Sequence, residues 1–285
     1  MSDKPARGGR RGREARKAQR ASTPVAVSPY IKRNIPCTQI LDEEGLQLIE
    51  ANADTILEET GIDFRGHARA LELWKEAGAD VDGERVRIPR GLAHKILKTA
   101  PREFTQHARN PARSVVIGGN NTVFAPVYGA PFVTDMERGR RYGTIEDFRD
   151  FVKLAYLEPN IHHSGGTVCE PVDLPVNKRH LDMVYSHMRW SDKAFMGSVT
   201  APERAADTVE MSGILFGKEF VDQNCVVINL INSNAPLVFD ATMLGAAEVY
   251  AAANQASIIS PFILAGAMSP VTAAGTLAQL LAEAM

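Results

Sequence analysis

A strand–loop–helix unit that recurs along the chain is the feature of this sequence that most restricts its fold. Each unit has an apolar run of β-type residues, a loop rich in Gly, Pro, Asn or Asp, and an amphipathic helical segment. The starts of runs one to five lie 38, 33, 32 and 32 residues apart, and the runs cover residues 123–128, 161–168, 194–199, 226–231 and 258–264. Because a connecting helix returns each strand in the same direction, the repeat predicts a parallel sheet.

Helix start signals follow several of these runs. Thr144 with Asp147, and Thr200 with Glu203, place a capping residue and an acid three positions apart. Asp240 is a further predicted cap. These signals lie where the repeat requires helices to begin, so they support the α/β assignment.

A parallel series of this kind forms either an eight-stranded barrel or an open, doubly wound sheet. The near-constant period, and the lack of a GxGxxG pattern after run one, favour a (β/α)8 barrel of the TIM type. Five units cannot close an eight-stranded ring, and residue 285 falls within a helical segment. We therefore expect about three further βα units beyond it; a short, open α/β protein is the alternative.

The residues before the repeat differ from it. Residues 1–35 are predicted to be a basic, disordered tail, since the first 20 contain eight Lys or Arg and two acids, with no apolar segment of a secretory signal. A basic arm that binds nucleic acid or an acidic partner is the alternative. Short helical and strand-like segments over residues 36–120 predict a small α+β lead-in domain, and residues 121–285 are the partial barrel.

Charge and cysteine content restrict the possible partners. The net charge of -2 favours neither nucleic acid nor a membrane surface, so neither is an expected partner. Cys37, Cys169 and Cys225 form no zinc-binding spacing, which predicts a reducing, cytoplasmic location. No apolar segment approaches the length of about 20 residues that spans a bilayer.

Functional groups of a parallel barrel lie where the strands end. The segment around the end of run two is the richest in such groups, and we predict His163, Glu170 and Asp173 as catalytic residues, the two carboxylates orienting a cation. A metal site formed with the neighbouring cysteine is less favoured, because the spacing matches no metal motif. The structural alternative for both carboxylates is loop capping and an ion pair with Lys178 or Arg179.

Substrate-binding groups are predicted in two other loops. Tyr128 and Phe132 offer aromatic faces, each of which attracts an alkylammonium group by about 0.5 to 2 kcal/mol. Asn232 and Asn234 offer amides that can hold a carboxylate. Core packing of Phe132 and turn formation by the asparagines are the structural alternatives.

These loops resemble the trimethylamine methyltransferase family. The resemblance rests on PVYGAPF at residues 126–132, PNIHHSGG at 159–166, CEP at 169–171, NSNAP at 232–236 and AGAMSPVTAAGT at 265–276, and the arginine-rich start is also similar. It extends from about residue 5 to the last residue. Members of the family are roughly twice as long as this chain.

The resemblance implies a (β/α)8 enzyme that takes a methyl group from trimethylamine, glycine betaine or a related quaternary amine and transfers it to Co(I) of a corrinoid (cobalamin) carried by a partner protein. No tightly bound metal is expected in this chain, and a homo-oligomer is expected. Tyr128, Glu170 and Asp173 would hold the cation, and Asn232 or His163 a carboxylate. Some members carry pyrrolysine late in the barrel, beyond the last residue here.

Two other interpretations remain open from the sequence. The chain could be a catalytically incomplete fragment or scaffold of such a barrel. It could also be an unrelated barrel enzyme such as a lyase or aldolase, although those enzymes usually carry a lysine at a strand end and none of the five strand ends has one.

Removal of residues 1–22 tests the assignment of the basic tail. We expect the shortened protein to fold and turn over like the parent, because a solvated tail contributes little to a packed core. The measurement is thermal unfolding together with an activity assay. A loss of turnover in the shortened protein would contradict the assignment.

Overall fold

The structure is a computed structural model, and it describes residues 31–285. Most of the predicted basic tail lies outside the described residues. The last part of that segment contains strand β1, Ile31–Lys32, which pairs antiparallel with β7, Asn121–Thr122. The start of the described chain is therefore attached to the segment that precedes run one.

The described residues contain both helices and strands. The helices are α1 Glu43–Thr55, α2 Ala68–Ala77, α3 Leu92–Leu97, α4 Ile145–Leu157, α5 Arg179–Trp190, α6 Pro202–Phe216, α7 Lys218–Gln223, α8 Ala241–Ala252 and α9 Ala273–Ala284. The remaining strands are β2 Ile62–Phe64, β3 Asp80–Asp82, β4 Arg85–Arg87, β5 Glu103–Gln106, β6 Val115–Gly118, β8 Phe132–Asp135, β9 Gly139–Tyr142, β10 Phe195–Met196, β11 Val227–Ser233, β12 Val238–Phe239 and β13 Ala256–Pro261. The protein is thus of mixed α/β class, as predicted.

The five apolar runs lie side by side in the order of the sequence. The backbone carbonyl of Phe124 accepts hydrogen bonds from His162 and His163, and His163 forms a parallel bridge with Ala194. β10 pairs in parallel with β11, and β11 pairs in parallel with β13. No sheet among residues 31–285 closes into a barrel.

Regular strands occupy less of the runs than the sequence predicts. Residues 123–128 form no strand, and run two is limited to the bridge at His163. Pro126 lacks a backbone N–H, and a left-handed glycine, Gly165, bends run two. These two segments therefore contact their neighbours through isolated backbone hydrogen bonds.

Two of the three predicted helix caps are present. Thr144 and Asp147 form a complete capping box at the start of α4, and the Asp240 carboxylate accepts a hydrogen bond from the first turn of α8. The prediction for Thr200 is wrong: α6 begins after Ala201, without a side-chain cap. Pro202, which needs no hydrogen-bond acceptor for its nitrogen, occupies the first helical position.

The lead-in segment and the repeat share one sheet. Its strand order is β12-β2-β4-β3, so a strand that follows run four joins three strands from residues 36–120. The largest apolar cluster crosses the same boundary and includes Ala53, Leu57, Val86, Val227, Ile231 and Tyr250. The lead-in strands therefore bury apolar surface against the helices and strands of the repeat.

A buried amide, Gln106, ties the lead-in strands to three of the runs. Its Nε2 donates to the carbonyls of Phe195 at 2.8 Å and Val226 at 3.2 Å. Its Oε1 lies 3.0 Å from Nε2 of His163. Since these contacts involve early residues of runs three and four, Gln106 lies near the amino ends of the parallel segments.

Replacement of Gln106 by leucine should destabilise the fold strongly. The variant removes the hydrogen bonds of Gln106 to two buried carbonyls and to Nε2 of His163, which costs roughly 2 to 4 kcal/mol of unfolding free energy. Denaturant titration measures the loss. The matched control is Gln47→Leu, because Gln47 is exposed on α1, and its effect should stay within about 0.5 kcal/mol; equal effects of the two variants would contradict this role of Gln106.

Candidate functional site

A cavity of about 260 Å³ lies at the carboxyl ends of the first three runs. The loops that follow these runs form part of its wall, and helices α5 and α6 form the rest. Its polar lining consists of Tyr128, Thr167, Glu170, Arg179, His180, His187, Ser198, Thr200 and Arg204. The cavity is therefore a small polar chamber with both acidic and basic groups.

Gly166, near the end of run two, leaves space for the ring of Tyr128 in the cavity wall. A Cβ added to Gly166 would lie 2.6 Å from Cε2 of Tyr128 and 2.9 Å from Cβ of Met196. Both distances are shorter than van der Waals contact, so any larger residue would displace the ring. Gly165 precedes it with φ of 86°, a conformation that glycine adopts without steric strain.

Tyr128 and Glu170 lie on neighbouring parts of the cavity wall. Burial raises the pKa of the Tyr128 hydroxyl above 10.0, its hydrogen bond with Thr167 lowers it, and the charge of Glu170 raises it. The ring therefore stays neutral at physiological pH. A neutral ring beside a carboxylate is a pair of groups that both attract an organic cation.

The Glu170 side chain is held by an arginine from helix α5. Nη1 of Arg179 lies 3.3 Å from the Glu170 carboxylate, and its Nη2 donates to the carbonyl of Leu174 at 3.2 Å. The backbone N–H of Glu170 donates to the carbonyl of Ala130 at 2.9 Å. Both the backbone and the carboxylate of Glu170 are thus fixed relative to the loop after run one.

Two other predicted catalytic residues are outside the cavity lining. The Asp173 carboxylate accepts a hydrogen bond from the backbone N–H of Ile145 at 2.9 Å, at the start of α4. His163 is buried, and its Nδ1 accepts from the backbone N–H of Gly165 at 2.9 Å, while its Nε2 faces Gln106. These side chains hold loops and strands in place.

The remaining predicted residues lie in other grooves. Phe132 packs against Tyr142 with the two rings tilted by 32°, and the guanidinium of Arg140 lies 3.7 Å from its ring centroid. Asn232 and Asn234 line a shallow groove that also includes Phe262. The amide of Asn234 donates to the Asp240 carboxylate at 2.6 Å, which braces the start of α8. The structure thus brings together Tyr128 and Glu170 and separates the other predicted residues from them.

Several cavity residues come from helices, which a search of strand ends does not cover. His187 of α5 lies with Nδ1 2.7 Å from Oγ of Ser164 and with Nε2 2.8 Å from the carbonyl of Gly166. Arg204 reaches the cavity from the first turn of α6. The amphipathic pattern of each helix predicts a buried face but does not show which polar residues reach a cavity.

A family model, described as trimethylamine methyltransferase (MTTB), matches residues 9–285. The chain belongs to the trimethylamine methyltransferase family. The resemblance inferred from the loop motifs is thereby confirmed. Two of those motifs, at residues 126–132 and 159–166, supply Tyr128 and Gly166 of the cavity in this family member.

Two named proteins are similar in sequence to this family member. It is 47% identical over 252 residues to a protein of Desulfitobacterium hafniense (strain Y51) named glycine betaine methyltransferase, a match that covers 88% of this chain and 52% of the relative. It is 25% identical over 173 residues to a protein of Eubacterium limosum named proline betaine:corrinoid methyltransferase, covering 60% of this chain and 35% of the relative. The match thus covers about half of the length of the first relative and about a third of the length of the second.

Cys169 and Lys193 are buried ionisable side chains of this family member. Residues 31–285 contain no group of three or more His, Cys, Asp or Glu side chains that could hold a metal ion, and burial raises the pKa of the Cys169 thiol to about 12. Burial lowers the pKa of Lys193 to about 8, and its Nζ donates to the carbonyls of Ala155 and Glu158 at the end of α4. No helix within residues 31–285 is both long and apolar enough to cross a membrane.

Two buried histidines make the stability of this family member dependent on pH. Burial, with a smaller contribution from the nearby His187, lowers the pKa of His163 to about 3. Burial lowers the pKa of His187 to about 4, against a raising effect of its hydrogen bond to Gly166. In the unfolded chain each imidazole binds a proton as the pH falls below about 6.5. In the folded chain it does so only as the pH falls to 3 to 4.

Stability should therefore fall as pH falls below about 6.5, with a loss of roughly 3 to 4 kcal/mol between pH 7 and pH 5 from the two groups together. Urea titration at the two pH values measures this loss. His187→Gln retains hydrogen-bonding atoms but cannot titrate, so it should lose about half as much. An identical pH dependence of the variant and the parent would contradict the assignment.

Proposed function

We propose that this protein is a methyltransferase that moves a methyl group from a quaternary amine to the corrinoid of a separate protein. The observation that carries the proposal is the cavity in which the neutral ring of Tyr128 lies beside the carboxylate of Glu170. Membership of the family and the names of both relatives support the same reaction. Glycine betaine, named for the first relative, is the first substrate to test.

We also propose that the described residues are part of a (β/α)8 barrel. The support is the order of the runs: each lies beside the next one in the sequence, as in a barrel, whereas a doubly wound sheet reverses its order at a switch point. The loops that follow the first three runs converge on one cavity, which is where barrel enzymes place their chemistry. The domain boundary at residue 120 and a homo-oligomeric state stay predictions.

The proposed roles of the cavity residues follow from their charges. Tyr128 and Glu170 hold the ammonium group, and Arg179 positions Glu170. Asp173 and His163 receive supporting roles, because both already bind backbone or buried groups outside the cavity. Asn232 and Phe132 stay predicted substrate contacts from other grooves.

The chemistry of the donor suits a site without a general acid. A quaternary ammonium ion leaves as a neutral amine, so no proton has to be delivered during the transfer. The bound corrinoid supplies a Co(I) nucleophile. The chain then contributes binding, orientation and exclusion of water, and orientation alone can supply several kcal/mol of the barrier reduction.

Exposed apolar side chains at the same end of the molecule offer an apolar surface to a partner protein. Val127 lies near the end of run one, and Phe262, Leu264 and Val271 follow β13. Large exposed apolar groups are common at interaction surfaces. We infer that these loops face the corrinoid protein, and that the reaction takes place in the cytoplasm, where the free thiols Cys169 and Cys225 would remain reduced.

The direct test is methyl transfer by the purified protein. Incubation with glycine betaine or trimethylamine and Co(I) cobalamin should give the absorption spectrum of methylcobalamin with the quaternary amine. Omission of the protein gives the background rate. If no methylated amine gives methylcobalamin, the proposed function is wrong, and the scaffold interpretation is favoured.

Glu170→Gln tests the cation site. The variant keeps the shape of the side chain but removes the charge beside the ammonium group, so KM for the amine should rise roughly tenfold. The matched control is Glu146→Gln, because Glu146 is exposed on α4 and pairs with Arg149. Equal kinetics for Glu170→Gln and the control would remove Glu170 from the site.

A further inference from the structure

Arg204 is a cation of the cavity that has no acidic partner within the described residues. It lies in the first turn of α6, and its Nη1 donates to Oγ1 of Thr200 at 2.8 Å. No carboxylate of residues 31–285 forms an ion pair with its guanidinium. The hydroxyl of Thr200 orients the guanidinium but leaves its charge unbalanced.

The other acidic and basic side chains of the cavity wall already have partners. Glu170 pairs with Arg179, and Nε2 of His180 lies 2.7 Å from the Asp207 carboxylate. The positive charge left over is therefore that of Arg204. A partly buried cation loses solvation, and a negatively charged ligand would offset that loss.

We propose that Arg204 binds the carboxylate of the substrate, so that the cavity selects amines with a quaternary ammonium group at one end and a carboxylate at the other. This inference rests on the proposed function and deepens it. A guanidinium presents several N–H donors in a planar fork that fits the two oxygens of a carboxylate. Nη1 is engaged by Thr200, and the other donors of the fork would bind the carboxylate.

The opposite charges come from separate elements of the wall. The ammonium-binding pair lies in the loops after runs one and two, while Arg204 lies on the helix after run three. A zwitterion can therefore satisfy both charged regions at once. Trimethylamine and tetramethylammonium carry no carboxylate and would leave Arg204 unmatched, so Arg204 is the specificity-determining residue of this cavity.

The test compares glycine betaine with tetramethylammonium, which has the same quaternary centre without the carboxylate. Isothermal titration calorimetry of the intact protein measures binding of each, and KM and kcat for methyl transfer are measured in parallel. The variants are Arg204→Gln and Arg204→Lys. The matched control is Arg69→Gln, because Arg69 is exposed on α2 and pairs with Glu72.

The parent should bind glycine betaine roughly 10- to 100-fold more tightly than tetramethylammonium, and Arg204→Gln should abolish that preference. KM for glycine betaine should rise by the same factor with kcat within about threefold, since the carboxylate contact is equal in the ground and transition states. Arg204→Lys keeps the charge without the fork and should retain part of the preference. Arg69→Gln should behave like the parent.

The outcomes separate this inference from the proposed function. Methyl transfer with a preference that survives Arg204→Gln would overturn the role of Arg204 alone. Binding of betaine that depends on Arg204, without methyl transfer by the parent, would support that role and overturn the proposed function. A parent that binds both ligands equally would overturn the inference even if Arg204→Gln fails to fold, and a parent that binds neither would overturn both.

Discussion

Parallel contact between consecutive segments is the constraint on which the rest of the structure depends. Ser164 donates its backbone N–H to the carbonyl of Ala194, and Met196 donates in return to Gly165. These hydrogen bonds set run two against run three in a single register. Since all the segments point in the same direction, every loop that follows a run emerges at one end, and the residues of distant loops become neighbours.

The two ends of the parallel segments have different physical roles. At the amino ends, the Gln106 amide donates to two buried carbonyls and also contacts the His163 ring, which accepts the backbone N–H of Gly165. At the carboxyl ends, Gly166 leaves space for the ring of Tyr128, and the cavity opens beside it. Burial thus serves stability at one end, and the proposed binding site lies at the other.

Neighbouring side chains hold several of the acidic and basic groups of the cavity wall in place. Arg179 restrains Glu170 from the helix behind the loop, and Asp207 contacts His180, which leaves Arg204 for the proposed contact with a carboxylate. A binding site built in this way distinguishes its ligands by the position of a second charge as well as by the methylated nitrogen. Such discrimination depends on the fixed geometry of the helices, because a flexible arginine would pair with the nearest carboxylate.

The sequence by itself determined the order and direction of the segments, the helix starts at Thr144 and Asp240, the family, and the proximity of Tyr128 and Glu170. Periodicity and loop motifs are local properties of the sequence. Parallel pairing of the strands brings the loops that carry these motifs close together in space. The tertiary structure decided the rest. Asp173 turns to cap a helix, the helix after run three starts beyond Thr200, and Arg204 enters the cavity, because the direction of each side chain depends on the backbone and side chains of segments far away in the sequence.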